Sequence, residues 1–257
     1  VSPKTAFAPF FKRQNNVELS PHDAALELRG GGCSDSDPSL FSKIGFSAIL
    51  QSALMLGTLM ASVGVSDKYP SIPSVFNLPL VELLCSFAII FASTVFAGMV
   101  DGGLSTAGNQ IFKPTEIPGN ANWYDKLKKP SWNPPGWVFP IMWLIVSKPT
   151  QLCAVSRILK YGITMGEAGT KTLPLGSLAV YTTHLALGDA WNKVFFGLQC
   201  TGRGAAVISV FYAMLVVSAY CFYTIDEKAG YYMLPTVSWV TVATALNWNI
   251  YLNNKKK

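Results

Sequence analysis

Residues 123–143 read WYDKLKKPSWNPPGWVFPIMW, with Trp123, Trp132, Trp137 and Trp143 interleaved with Pro130, Pro134, Pro135 and Pro140. The first half is basic, carrying Lys126, Lys128 and Lys129; the second half runs into the apolar stretch Ile141–Val146. Tryptophan often marks the belt where a helix leaves the bilayer. A belt does not need this many prolines, however. The stretch is a stiff, aromatic-rich entry into a membrane-spanning helix.

On both sides of it the chain alternates long charge-poor runs with short polar links. Half of the 257 residues are hydrophobic and only 13% are charged, against roughly a quarter in a soluble domain. A spanning helix needs ~20 mostly apolar residues. Six runs satisfy this: 44–64, 78–100, 136–159, 173–198, 204–224 and 231–252. Pro70, Pro73 and Pro79 separate the first two, and Gly230 and Pro235 stand at the expected start of the last, where proline costs a helix least.

Six spans put both termini on one side. With Lys148 and Lys193 inside spans, that side carries 13 Lys and Arg residues against 5 on the other. Both termini and the 101–135 loop are therefore expected to face the cytosol or stroma. The net charge of +6 follows from this topology, and no nucleic-acid motif accompanies it. The five cysteines are odd in number and lack a CxxC pair, so the spacing indicates neither a disulfide framework nor a zinc site.

Residues 1–43 form a polar tail without a long apolar run. Ala6-Phe7-Ala8-Pro9 resembles the cleavage motif of plastid presequences in algae with secondary red plastids. It favours a plastid membrane, thylakoid or envelope, with the mitochondrial outer membrane as the alternative. In the first span Ala53, Gly57 and Ala61 recur every four residues, a stripe that permits close helix contact. The span is expected to be an added anchor or a docking helix for other membrane subunits.

The motif WYDKLKKPSWNPPGWVF, followed by Pro140-Ile141-Met142-Trp143, resembles the signature of the translocator protein family, also called tryptophan-rich sensory proteins. Further matches follow in order. They are Leu173-Pro174-Leu175-Gly176, Leu185-Ala186-Leu187, Ala190-Trp191, Phe195-Phe196-Gly197, and Pro235 with Trp239 and Ala243-Thr244-Ala245-Leu246-Asn247. The resemblance covers about 78–254. It implies an all-α integral membrane five-helix bundle, here with one additional N-terminal transmembrane helix. It also implies a cavity that takes tetrapyrroles and, in some members, sterols or synthetic ligands. Some bacterial members degrade porphyrins in light.

The resemblance places Trp143 and Trp239 toward the ligand, with Trp123, Trp132, Trp137, Trp191 and Asn247 as further candidates. Such a site suits a porphyrin, haem or chlorophyll, because offset stacking of a flat π-system on indole gains ~0.5–1.5 kcal/mol beyond area burial. Trp239 and Trp248 are nine residues apart, so they face opposite sides of a helix. The family pattern turns Trp239 inward.

The fourth span departs from that pattern at His184, Gly188, Asn192 and Lys193. His184, Gly188 and Trp191 share one helical face. A neutral imidazole beside a glycine gap could ligate the metal of a bound haem or chlorophyll; a hydrogen bond to a neighbouring helix is the plainer role. Asp189 and Lys193 are expected to pair along the helix.

Three functions are therefore open. The first is binding of a tetrapyrrole or related flat lipophile for sensing, transport or sequestration. The second is a structural or docking subunit of an organellar complex such as a photosystem–antenna supercomplex. The third is light-dependent porphyrin degradation, for which no acid–base pair or nucleophile motif stands in the sequence.

Overall fold

Long apolar runs satisfy their backbone internally, and here they do so as helices, as a bilayer requires. The computed structural model describes residues 39–101, 121–165 and 171–255. Among these described residues eight helices follow in order: α1 Leu40–Lys68, α2 Leu80–Phe91, α3 Ser93–Asp101, α4 Ala121–Lys126, α5 Val138–Tyr161, α6 Leu175–Asn192, α7 Thr201–Ile225 and α8 Glu227–Asn254. A tight antiparallel hairpin, Ser74–Val75 against Leu78–Pro79, links α1 to α2. Its tip residues Phe76 and Asn77 take positive φ of 55° and 61°, the geometry of a primed hairpin turn.

The helices close a ring. α1 packs on α2, α2 on α5, α5 on α8, α8 on α7, α7 on α6, and α6 back on α1. Met55 and Leu59 of α1, Ile89 of α2, Ile158 of α5, Leu178 of α6 and Leu215 of α7 are buried at these seams. α7 and α8 approach closely at Gly230, where a Cβ would lie 2.5 Å from that of Tyr223; only glycine fits there.

All six expected runs form helices, but not all are equally apolar. Among the described residues, three helices are long and apolar enough to cross a membrane: 41–68, 138–161 and 201–225. α2 and α3 make a fourth if taken as one span bent by 70°. The fourth and sixth expected spans, α6 and α8, fall short by composition. Both carry buried polar side chains, Thr182 and His184 on α6 and Thr236 and Asn247 on α8.

Three local features differ from the sequence expectation. The second span is broken, with Ala92 leaving helical geometry (φ −121°, ψ 31°) between α2 and α3. α5 is wound as a π-helix over Ile141–Ser147, just before Pro149. A proline cannot donate to the preceding turn and crowds its carbonyl, which favours such widening. α8 begins at Glu227, so Pro235 lies inside the helix rather than at its start.

The helix ends are sorted by contact. Lys128 bonds Asn254 at 3.0 Å, and the Arg203 guanidinium lies 5.7 Å from the Phe41 ring. The 121–137 loop, the start of α1 and the end of α8 thus share one end of the bundle. At the other end Arg157 of α5 grips Asp226, between α7 and α8, with both ends of its guanidinium. Cys85, Cys153 and Cys221 are free and at least partly exposed, whereas Cys200 is buried and disulfide-bonded, which the cysteine spacing did not signal.

Candidate functional site: an aromatic cavity beside a polar knot

The π-wound segment of α5 projects Trp143 toward α6 and α8. Its ring lies 6.3 Å from Trp191 of α6 and 6.3 Å from Trp239 of α8. Phe139 meets Trp239 edge-on at 5.4 Å, and Trp191 stacks on Phe195 at 5.9 Å. α6 continues as a π-helix over Lys193–Gly197, which sets Phe195 and Phe196 at right angles to each other, 4.8 Å apart. Tyr124 of α4 covers Phe196 at 5.8 Å, and Trp123 meets Phe195 at 5.5 Å. Between these rings lies a small cleft with room for about one water molecule, lined also by Ala243, Leu246, Asn247 and Ile250. That is far below the ~300–1,000 Å³ usual for small-molecule sites. A large flat ligand would have to part some of the aromatic rings.

Two polar groups set the chemistry of the wall. Trp191 Nε1 donates to Asn247 Oδ1 at 3.0 Å, and Asn247 Nδ2 donates to the Ala243 carbonyl at 2.9 Å. Asn247 therefore fixes the indole of Trp191. The Nε1 of Trp239 is buried with no acceptor among the described residues, as is that of Trp123. An unmet buried donor costs ~1–3 kcal/mol, so an acceptor on a bound molecule would relieve it.

The loop end of the cavity is latched. Asn254 accepts from Lys128 N at 3.0 Å and donates to Lys128 O at 2.9 Å. Below this clamp Tyr124 is half-buried, with the Lys129 ammonium 4.5 Å from its ring centre. Burial, with a smaller contribution from the Asp125 charge, pushes the phenol up to about 12. Tyr124 therefore remains a neutral donor at the mouth across the physiological range.

Not every candidate residue reaches the cavity. Trp132 and Trp137 are 48% and 61% exposed on the loop. Trp248 faces away, as its spacing from Trp239 requires, and bonds Ser209 at 2.9 Å. His184 is buried between α6 and α7, its ring 4.7 Å from Tyr181 and parallel to Phe211 at 6.1 Å. The place beside Gly188 is taken by the Phe211 ring, 3.4 Å from where a Cβ would stand. His184 Nδ1 has no partner among the described residues.

A second constellation lies at the break between α2 and α3, built from residues far apart in the chain. Gln51 of α1 donates to Asp189 Oδ2 at 2.6 Å and to the Ser93 carbonyl at 3.0 Å. Ser93 Oγ donates to Asp189 Oδ1 at 3.1 Å. Lys148 Nζ donates to the Phe91 carbonyl at 3.1 Å. The expected Asp189–Lys193 pair does not form. Donors from two other helices satisfy Asp189, and Lys193 pairs instead with Asp101 at 2.8 Å. Among the described residues no group of three or more His, Cys, Asp or Glu side chains could hold a metal ion.

Comparison with known proteins agrees with this architecture. Residues 89–252 match the model of the TspO/MBR family. Protein CrtK of Rhodobacter capsulatus is 32% identical over 66% of this chain and 94% of its own length. The tryptophan-rich sensory protein of Cereibacter sphaeroides is 33% identical over 57% of this chain and 82% of its own. The human translocator protein is 27% identical over 51% of this chain and 75% of its own. The helical bundle, the tryptophan cluster and the match over most of the chain lead to one conclusion: the protein belongs to the TspO/MBR family of multi-pass membrane proteins.

Proposed function

We propose that the chain binds a tetrapyrrole or related flat lipophile between α5, α6 and α8, for sensing, transport or sequestration. The observation that carries this reading is the cluster of Trp143, Trp191 and Trp239, the last two buried, beside a small cleft, with the Trp239 indole N–H left without an acceptor among the described residues. The trio offers several indole faces to a flat ring, and Trp239 offers a hydrogen bond. Asn247 keeps one wall fixed. His184 lies outside the cavity lining and is not needed for this mode. Titrating the purified protein with protoporphyrin IX should give a saturable change in the visible spectrum of the pigment at one equivalent. Uptake that grows linearly with detergent and never saturates would refute specific binding.

A second reading, a docking subunit of an organellar membrane complex, draws on one feature of α1. Ala53, Gly57 and Ala61 lie on its outward, exposed side, and nothing lies within 4 Å of a Cβ placed on Gly57. The plastid address rests on Ala6–Pro9, outside the described residues. Pulling down the full chain from native membranes and identifying stoichiometric companions tests this reading; isolation without companions argues against it.

A further inference from the structure

The family match begins at residue 89, so α1 lies wholly outside it. The match to the Rhodobacter relative takes in 94% of that protein, leaving too little of it for a further ~20-residue span. Yet α1 does not sit at the edge of the bundle. It fills the space between α2 and α6 and closes the ring. Its inward face is marked by polar side chains; Ser62 bonds the Leu59 carbonyl within α1, and others find partners on neighbouring helices. Near one end, Ser47 donates to Asp101 at 2.9 Å. Then Gln51 meets Asp189 and the Ser93 carbonyl, and Ser52 meets Thr182 and Thr183 at 2.8 and 3.0 Å. Near the other end Ser66 donates to Glu82.

We infer that α2, α3 and α6 form a groove that recognises a transmembrane helix by its polar side chains, and that α1 is a partner helix carried in the same chain. Hydrophobic burial cannot drive this docking, because lipid tails are as apolar as leucine. Packing and hydrogen bonds must do so. The centre of recognition is Gln51. Its amide holds a carboxylate of α6 and the carbonyl of Ser93, the first residue after the break in the second span. Non-helical backbone at membrane depth is tolerated only where protein or water covers it; α1 provides that cover. The groove therefore selects a helix with an amide at the level of the break and hydroxyls beside it. This inference is independent of the ligand proposed for the aromatic cavity.

The full chain can test it. A protease site placed in the exposed link 69–73 allows α1 to be cut from the folded protein in mild detergent. The cut α1 should stay bound through size exclusion. A labelled synthetic peptide spanning 39–68 should exchange into the cut protein. The same peptide with Gln51→Leu should compete about tenfold less well, as expected for loss of a hydrogen bond to a charged group. Because that substitution is confined to the peptide, the bundle itself is unaltered. Immediate loss of the cut wild-type α1, or equal competition by the Gln51→Leu peptide, would overturn the inference.

Discussion

The two sides of α6 differ in kind. One side carries Trp191 into an aromatic cavity with α5 and α8; the other carries Asp189 into a polar knot with α1, the α2–α3 break and α5. The aromatic side is made of residues within the family match and leaves a buried donor unmet. In the knot both Asp189 oxygens are satisfied, one of them by Gln51 from outside the match. An unmet donor beside a cleft suits a ligand. A satisfied carboxylate holds helices together. The contrast separates binding from architecture within two residues of one helix.

The largest expected effect falls on the knot. Asp189→Ala strands Gln51, Ser93 and the Lys148 charge in the membrane interior and should cost ~3–5 kcal/mol, read from unfolding in detergent. A loss below ~1 kcal/mol would mean that the knot does not hold α1. On the aromatic side, Asn247→Leu leaves the Trp191 N–H without its acceptor and should cost ~1–3 kcal/mol. It should also weaken pigment binding, whereas Asp189→Asn should leave pigment affinity unchanged. Equal effects on pigment binding would erase the distinction between the two sides.

A pair outside both regions serves as a control. Arg157 holds the Asp226 carboxyl below its ordinary value, chiefly through their hydrogen bond. A depressed folded-state value means that the stabilisation is present above the unfolded value, near pH 4, and fades as pH falls through the folded one. The pair is partly solvated, so Asp226→Asn should remove only ~0.5–1 kcal/mol at neutral pH. It should also flatten the loss of stability below about pH 4. The smallest effect is expected at the outward stripe of α1. Ala61→Leu should change stability by less than ~0.5 kcal/mol, since that face does not pack in the bundle; a large loss would show that it does.

Much of the fold was legible because apolar runs of membrane length have few alternatives to helices. Trp143, Trp191 and Trp239 were legible as a group through the motif that carries the family pattern. The break at Ala92 was not, because no proline or glycine marks it. The side chains that bond the carbonyls beside it, Lys148 and Gln51, arrive from other helices. Gln51 itself looked like an ordinary polar residue in an apolar run, since its carboxylate partner lies 138 residues away. The inward position of α1 was hidden for a related reason. The small-residue stripe lies on the outward face, while the glutamine and serines opposite it pack in the bundle.

The most direct test of the aromatic cavity compares two tryptophans of the same helix. Protoporphyrin IX affinity should be measured by saturable titration for wild type, Trp239→Ala and Trp248→Ala. The cavity predicts about tenfold weaker binding for Trp239→Ala, from lost stacking and the lost hydrogen bond, and less than about twofold change for Trp248→Ala. Equal losses, or none at Trp239, would place the ligand elsewhere and contradict the account.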